Sequence, residues 1–426
     1  MVDVWLPYGK TDVCVRVPAR NLLGSLIPTQ KYSVTDPKAE IERAIKEPIG
    51  TRQLTEFVKP DSKVVILVDD VASKNLNDLL ILSMLAELNV AGVKDEDVTI
   101  IFSCDSVGMV KSGDFTAFFR ESVLNRVKIV CHDVKDKDLV FVGTTKSHGN
   151  KVFLNRVFAE ADVKILLGEV YLHYYAGYEG GRKSVLKVCG EETVQHNSVM
   201  MLNSAARAGV LDGNPVHEDM FEVAHLAKVD FIVNVVRNSK GEIVKVFAGD
   251  LVTAFLEAVK LVDEIYKVKV DRRADIVVVS AGGNSADVYL DQAYRAVDNA
   301  LDVVKRGGVI VLVAECSKGY GNQVFYDWMN RLTDLKSTEK ELKRNFALGG
   351  HTAYYLLKTL QSHPIILVSS LPDYYATNVF KLKTARAVND ALNEAFKTAG
   401  STSRVWTIPF GNYTLPEYKA PEEIKT

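Results

Sequence analysis

Val163-Lys-Ile-Leu-Leu-Gly168, followed five residues on by His173-Tyr-Tyr-Ala-Gly-Tyr-Glu-Gly-Gly-Arg-Lys-Ser184, decides how this chain is read. The first run is short and nearly all apolar, the pattern of a strand buried on both faces of a parallel sheet. The second is rich in glycine and leads into an amphipathic stretch. Strand, glycine-rich loop and helix in that order put the loop at the carboxyl end of a strand, where open α/β sheets bind ligands.

Similar runs recur on either side. Strands are predicted at Val13 to Val17, Lys63 to Asp69, Val98 to Ser103 and Leu139 to Val142, with a helix over Leu76 to Leu88 and another ending at Ala205 to Val210. After the long helix Leu251 to Tyr266, the charged segment to Ala274 reads as a linker. Strands then restart at Asp275 to Ser280, Gly308 to Ala314 and Pro364 to Ser369. The fold class is α/β, with two domains of mainly parallel sheets flanked by helices. The predicted division is residues 1–266, carrying the glycine-rich loop, and residues 272–399, with the tail 400–426 returning to the first domain.

Composition excludes several classes of function. The chain has 426 residues, 52 basic and 54 acidic side chains and a formal net charge of −2, so nothing draws it generally to nucleic acid or to an anionic membrane. No apolar run approaches ~18 residues and the N-terminus has no signal-peptide pattern, so a cytoplasmic protein with no membrane contact is expected. Five cysteines without CxxC spacing predict reduced thiols and no structural zinc.

Within the loop, Gly177, Gly180 and Gly181 would let backbone approach a ligand and offer amide N–H groups to it, although a plain tight turn also explains them. Lys183-Ser184 resembles the end of a phosphate-binding P-loop, but that motif needs glycine where Arg182 stands. A nucleotide triphosphatase is therefore disfavoured. Gly319-Tyr-Gly321 lacks the third glycine of a dinucleotide fingerprint.

Taken whole, His173 to Leu186 resembles the lactate racemase family, whose members carry a His, aromatics, Ala-Gly, an aromatic and then Gly-Gly-Arg-Lys. Further segments resemble the family, among them Glu192-Thr-Val-Gln195, Gly209 to Pro215, Gly349-Gly-His351 and Pro409 to Pro416. The resemblance implies two α/β domains enclosing a cofactor at their interface. It implies a nickel-pincer nucleotide (pyridinium-3-thioamide-5-thiocarboxylic acid mononucleotide nickel) joined covalently to Lys183, with Gly180, Gly181 and Arg182 around it, and His173 as an acid/base. The implied reaction is racemisation or epimerisation of an α-hydroxy acid by proton-coupled hydride transfer. Implied partners are the small hydroxy acid and the cofactor biosynthesis enzymes, with homo-oligomerisation possible.

The sequence departs from the family in three places. Where the family has its second catalytic histidine, this chain has Cys104-Asp105-Ser106; Asp105 is the candidate second base, with a turn residue as the alternative. Opposite the family's Asp-x-Thr-Arg, Asp69 is kept for the substrate but Ala72 replaces the arginine, while Gln292 and Arg295 correspond to substrate-binding residues of the second domain. Ser198 takes the place of the nickel-ligating histidine, leaving His196 as the candidate metal ligand, although two helical positions apart point about 200° apart. These changes leave two alternatives: a member with altered chemistry, acting on a sugar acid or lacking histidine-ligated nickel, or a non-catalytic cofactor-binding protein.

Overall fold

The structure, a computed structural model, describes residues 1–69, 74–103, 115–332 and 334–420. The chain divides into two compact units, Gln30–Glu264 and a second built from Met1–Thr29 together with Ile265–Thr426.

The first unit is organised by a six-stranded sheet in the order Ile243–Gly249, Phe231–Arg237, Val163–Glu169, Val64–Val68, Val98–Ser103, Lys128–His132. All neighbours are parallel except the antiparallel edge strand Ile243–Gly249. Every residue of Val64–Val68 is buried, as expected of a central strand covered on both faces. Ile66, Val68, Ile100, Phe102, Ile165 and Leu167 form one core with Ile81, Met84, Leu85 and Leu88 of the helix Lys74–Val90. Asp69 and the His173–Ser184 loop follow the carboxyl ends of two adjacent parallel strands, and Asn234 lies opposite Gly168 on the next one. The sheet therefore gathers three chemically distinct segments at one edge.

The second unit carries another six-stranded sheet, wholly parallel, in the order Lys383–Ala385, Ile365–Val368, Val304–Val313, Ala274–Ser280, Val405–Ile408, Leu22–Ser25. The antiparallel hairpin Val2–Tyr8 with Thr11–Val17 packs on it, with Leu6, Val15 and Val17 in the same core as Ile276, Val311, Ala391 and Leu392.

The α/β class and the parallel sheets agree with the sequence reading; the domain limits need correction. Residues 1–29 belong with the second sheet, because Leu22–Ser25 is its edge strand. The tail also stays with that unit: Val405–Ile408 lies between Ala274–Ser280 and Leu22–Ser25, and Leu415–Tyr418 pairs with Lys267–Val270. The helix predicted to end at Val210 is absent. Glu191–Val199 is helical, Met200–Leu202 is a 3₁₀ turn, and Asn203 then accepts from Ala205 N at 2.9 Å, a side-chain turn that replaces further helix. Cys14, Cys189 and Cys316 are free thiols, as predicted. Cys131 is disulfide-bonded, contrary to that prediction.

Among the described residues no helix is long and apolar enough to cross a membrane.

Candidate active site

The loop after Val163–Glu169 doubles back as a two-residue hairpin, pairing Leu172 with Tyr178 and His173 with Gly177. This return brings Glu179 beside His173, although six positions separate them. His173 Nε2 lies 3.5 Å from Glu179 Oε1, and Lys183 Nζ lies 2.9 Å from Glu179 Oε2. One buried carboxylate thus joins the two residues singled out from the sequence. The imidazole is held from its other side, where Nδ1 accepts from Tyr175 N at 3.3 Å and Ala176 N at 3.0 Å. Its ring stacks on Tyr174, with centroids 4.7 Å apart, and meets the edge of Tyr175.

Lys183 sits in the 3₁₀ helix Gly181–Val188 and its side chain is 15% exposed. Four residues on, Lys187 reaches Asp69, with Nζ 2.8 Å from Oδ1. Asp69, predicted to bind substrate, is therefore in an ion pair that ties the loop to the neighbouring strand. Lys187 was missed, although its i,i+4 spacing from Lys183 is visible in the sequence.

The three residues that the resemblance places around the cofactor, Gly180, Gly181 and Arg182, are packed against protein. Arg182 is 1% exposed and donates to the carbonyls of Ala176 (2.7 Å), Tyr178 (2.8 Å) and Gly180 (3.2 Å) and to His217 Nδ1 (2.9 Å), with its guanidinium 4.5 Å from the centre of the Phe255 ring. It moulds the loop from inside, because a guanidinium is the side chain with enough donors to satisfy three converging carbonyls. Burial pulls its pKa down to about 9, still charged at neutral pH. Burial, then the Arg182 charge, lowers His217 to about 3, so the imidazole is a neutral acceptor. Gly180 has φ +76° and Gly181 φ +53°. A Cβ on Gly180 would lie 2.6 Å from the Glu169 carbonyl, and one on Gly181 would lie 2.7 Å from the Phe255 ring. Both glycines are required by packing against protein.

The remaining predicted residues lie on elements other than this loop. His196 is on the exposed side of the helix Glu191–Val199 and its Nε2 is 2.9 Å from the His148 carbonyl. The buried side is taken by Ser198 and by Asn197, which donates to Asp219 at 2.8 Å and to the Val216 carbonyl at 3.1 Å. Asn197 sets the helix's rotation and so turns His196 outward. No group of three or more His, Cys, Asp or Glu side chains among the described residues is arranged to hold a metal ion. Gln292, exposed, and Arg295, half-buried, share the helix Leu290–Ala300 of the second unit. Asp105 and Ala72 lie outside the described residues. His132 Nε2 is 3.0 Å from the Cys189 carbonyl, and His351 Nδ1 accepts from Gly349 N at a helix start.

Residues 8–209 match the family described as the lactate racemase N-terminal domain, and residues 269–413 match the lactate racemase C-terminal domain. The lactate racemase of Thermoanaerobacterium thermosaccharolyticum is 30% identical over 424 residues, covering 96% of this chain and 98% of that protein. The chain belongs to the lactate racemase family. The lactate racemase of Lactiplantibacillus plantarum is 28% identical over 422 residues, covering 96% of this chain and 99% of that protein. The solved structure of the lactate racemase apoprotein from T. thermosaccharolyticum aligns with a TM-score of 0.87 at 29% identity, covering 97% of this chain and all of that one. A crystal structure of a Thermotoga maritima protein, 17% identical with a TM-score of 0.63 over 92% of this chain and 100% of its own, shares the fold. Membership of the lactate racemase family makes the chain an isomerase of the racemase type.

Proposed function

We propose that the chain is a racemase or epimerase of a small α-hydroxy acid, working with a nickel-pincer nucleotide held covalently at Lys183. The observation that carries this reading is the sharing of Glu179 by Lys183 and His173 in one buried loop. Two further features fit a bound polar group there. Ser184 Oγ, next to the tether, and Asn234 Nδ2, whose side chain also accepts from Gly181 N at 3.3 Å, are buried without a hydrogen-bond partner. An unsatisfied buried donor is costly and calls for an occupant. The fit extends to the tether and its polar surroundings; the described residues supply no metal-ligand cluster, and His196 has no part in the site we propose.

When bound, the cofactor would supply an acceptor for the substrate's α-hydrogen as hydride. The protein's task is then to manage the hydroxyl proton. Nδ1 accepts from Tyr175 N and Ala176 N, and Nε2, 3.5 Å from Glu179 Oε1, would be the His173 atom that exchanges a proton with the substrate. Inversion requires a second proton-handling group on the opposite face, and Asp105 is the residue the sequence offers. Gln292 and Arg295 remain the candidates for the substrate carboxylate. Ala72 in place of an arginine favours hydroxy acids larger or more polar than lactate.

Intact mass measured after co-expression with the cofactor biosynthesis enzymes tests the tether. The unsubstituted chain should gain a covalent addition and Lys183→Ala should not. An unmodified chain beside a modified control racemase in the same cells would overturn the proposal. His173→Ala should keep the addition and lose at least ~100-fold in turnover across a panel of α-hydroxy acids read by chiral chromatography.

A further inference from the structure

The connections that leave the carboxyl ends of Val304–Val313 and Ile365–Val368 in the second unit carry an aromatic group that the reaction proposed above does not use. Phe325 and Phe380, both 0% exposed, stack with centroids 4.7 Å apart and form its base. Tyr320 and Tyr326, 6.0 and 6.5 Å from Phe380, stack on each other at 4.8 Å. Tyr375 lies 5.6 Å from Tyr320 and 6.0 Å from Tyr326, and Tyr374, 62% exposed, extends the group outward at 5.7 Å from Tyr375.

The division of residue types within the group is informative. The two rings shut off from solvent are phenylalanines, and the four that reach it are tyrosines, each with a hydroxyl on its edge. The polar rim continues in the exposed side chains of Gln323 and Asp327: Tyr320 Oη donates to Gln323 Oε1 at 3.0 Å, and Gln323 Nε2 donates to Asp327 Oδ1 at 2.8 Å. The backbone that carries the rings is held in costly shapes. Tyr374–Val379 is a π-helix, and Cys316 (φ +51°) and Lys381 (φ +59°) are non-glycine residues in the left-handed region. Such conformations cluster where a binding surface has to keep a fixed shape.

The same loop is fastened to the start of the helix Leu290–Ala300, which bears Gln292 and Arg295. Leu290 N donates to the Gly319 carbonyl at 3.1 Å, Asp291 N to the Tyr320 carbonyl at 3.2 Å, and Asn322 N to Asp291 Oδ2 at 2.9 Å. A Cβ on Gly321, where φ is +90°, would lie 2.2 Å from Asp291 Oδ1, so the approach requires glycine. Tyr320 is thereby fixed beside the helix that carries the candidates for the substrate carboxylate.

We propose that Tyr320, Tyr326, Tyr374 and Tyr375 form the subsite for the substrate's carbon chain beyond its carboxyl end, and that this chain is polyhydroxylated. This rests on the reading above that Gln292 and Arg295 take the carboxylate. The C–H bonds of a polyol chain meet the negative faces of the rings, while its hydroxyls meet the phenols, the Gln323 amide and the Asp327 carboxylate of the rim. A phenyl tail would be served by an apolar wall, and here phenylalanine is confined to the base. Lactate, with a methyl group in this place, would use none of the rim.

Saturation-transfer NMR on the full, unloaded chain tests this, with the aromatic protons irradiated, D-gluconate as the polyhydroxy probe, and L-lactate and 3-phenyllactate in parallel. D-Gluconate should bind more tightly than either, with saturation greatest on its C4 to C6 protons. Tyr374→Ser, at the most exposed ring, and Tyr326→Ser should each weaken gluconate at least ~10-fold, whereas Tyr374→Phe, which keeps the ring face, should lose no more than ~3-fold. The proposal is overturned if gluconate does not bind, if saturation is as strong on C2 and C3, or if 3-phenyllactate binds more tightly. It is also overturned if Tyr374→Ser leaves gluconate binding unchanged and instead dissociates a dimer in light scattering, which would make the patch a contact between copies of the chain. Arg295→Gln should weaken all three acids; losses at the tyrosines without that effect defeat the carboxylate assignment alone. The cofactor is judged separately by intact mass, since an adduct without gluconate binding defeats this inference alone.

Discussion

Replacing Arg182 with methionine tests whether the loop is held from inside by its guanidinium or whether that group serves the cofactor. Methionine keeps an unbranched apolar stem and removes every donor. Three carbonyls, of Ala176, Tyr178 and Gly180, lose a donor in a place where Arg182 is 1% exposed. Each stranded acceptor costs about 1–3 kcal/mol, and loss of the contact with Phe255 adds about 0.5–2 kcal/mol. Against this stands relief from burying a charge, which offsets several kcal/mol. The net expectation is a loss of about 3–5 kcal/mol, the range measured when one partner of a buried charged network is removed. With a urea dependence of about 3 kcal/mol per M for a unit of this size, the midpoint of the unit Gln30–Glu264 should fall by about 1–1.7 M. Urea titrations followed by far-ultraviolet circular dichroism and tryptophan-independent hydrogen exchange at the loop amides measure it. A midpoint within ~0.3 M of the unsubstituted chain, together with loss of the Lys183 mass addition, would refute the moulding role and return Arg182 to the cofactor.

Two further outcomes follow from the same loop. Gly181→Ala should lower stability by about 1–3 kcal/mol, because its Cβ would come within 2.7 Å of Phe255 at a φ of +53°; a thermal midpoint unchanged within a degree would contradict this. Burial, then the Arg182 charge, lowers the His217 pKa to about 3 from its ordinary value of about 6.5. The folded state then binds fewer protons than the unfolded state between those values, so its contribution is complete above pH 6.5 and falls as pH drops toward 3. Between pH 7 and pH 5 that loss is about 2 kcal/mol. His217→Gln, which keeps an acceptor for Arg182, should remove this slope, and an unchanged slope would count against the assignment.

The strands were legible because each is a short apolar run bounded by turn residues, as in Val163–Glu169 and Val98–Ser103. Leu22–Ser25 was not, since nothing local marks a four-residue segment whose partner is Val405–Ile408. In the site, His173 and Lys183 were singled out by the resemblance of the whole His173–Leu186 stretch to the lactate racemase family. Glu179 stood in the same quoted stretch and was passed over, because its importance comes from the hairpin that pairs Leu172 with Tyr178. Arg182 was placed beside the cofactor by the Gly-Gly-Arg-Lys resemblance; its packing on Phe255 and His217, distant in sequence, has no local signal. The outward place of His196 has a readable reason, since Asn197 and Ser198 occupy the inward face of the same helix.

The edge strand Leu22–Ser25 also sets an order of events during synthesis. Gly24 and Thr407, joined at 3.2 Å through the threonine hydroxyl and the glycine carbonyl, are 383 positions apart. At roughly 5–20 residues per second, the first strand waits about 20–80 seconds on the ribosome for its neighbour. Gln30–Glu264 is complete long before then and can fold while the N-terminal segment trails beside it. Val2–Tyr8 and Thr11–Val17 can close their hairpin at once, shielding part of that segment's apolar surface during the wait. Ribosome-bound chains should therefore acquire the unit containing Lys183 first and seal the other only as the last residues emerge.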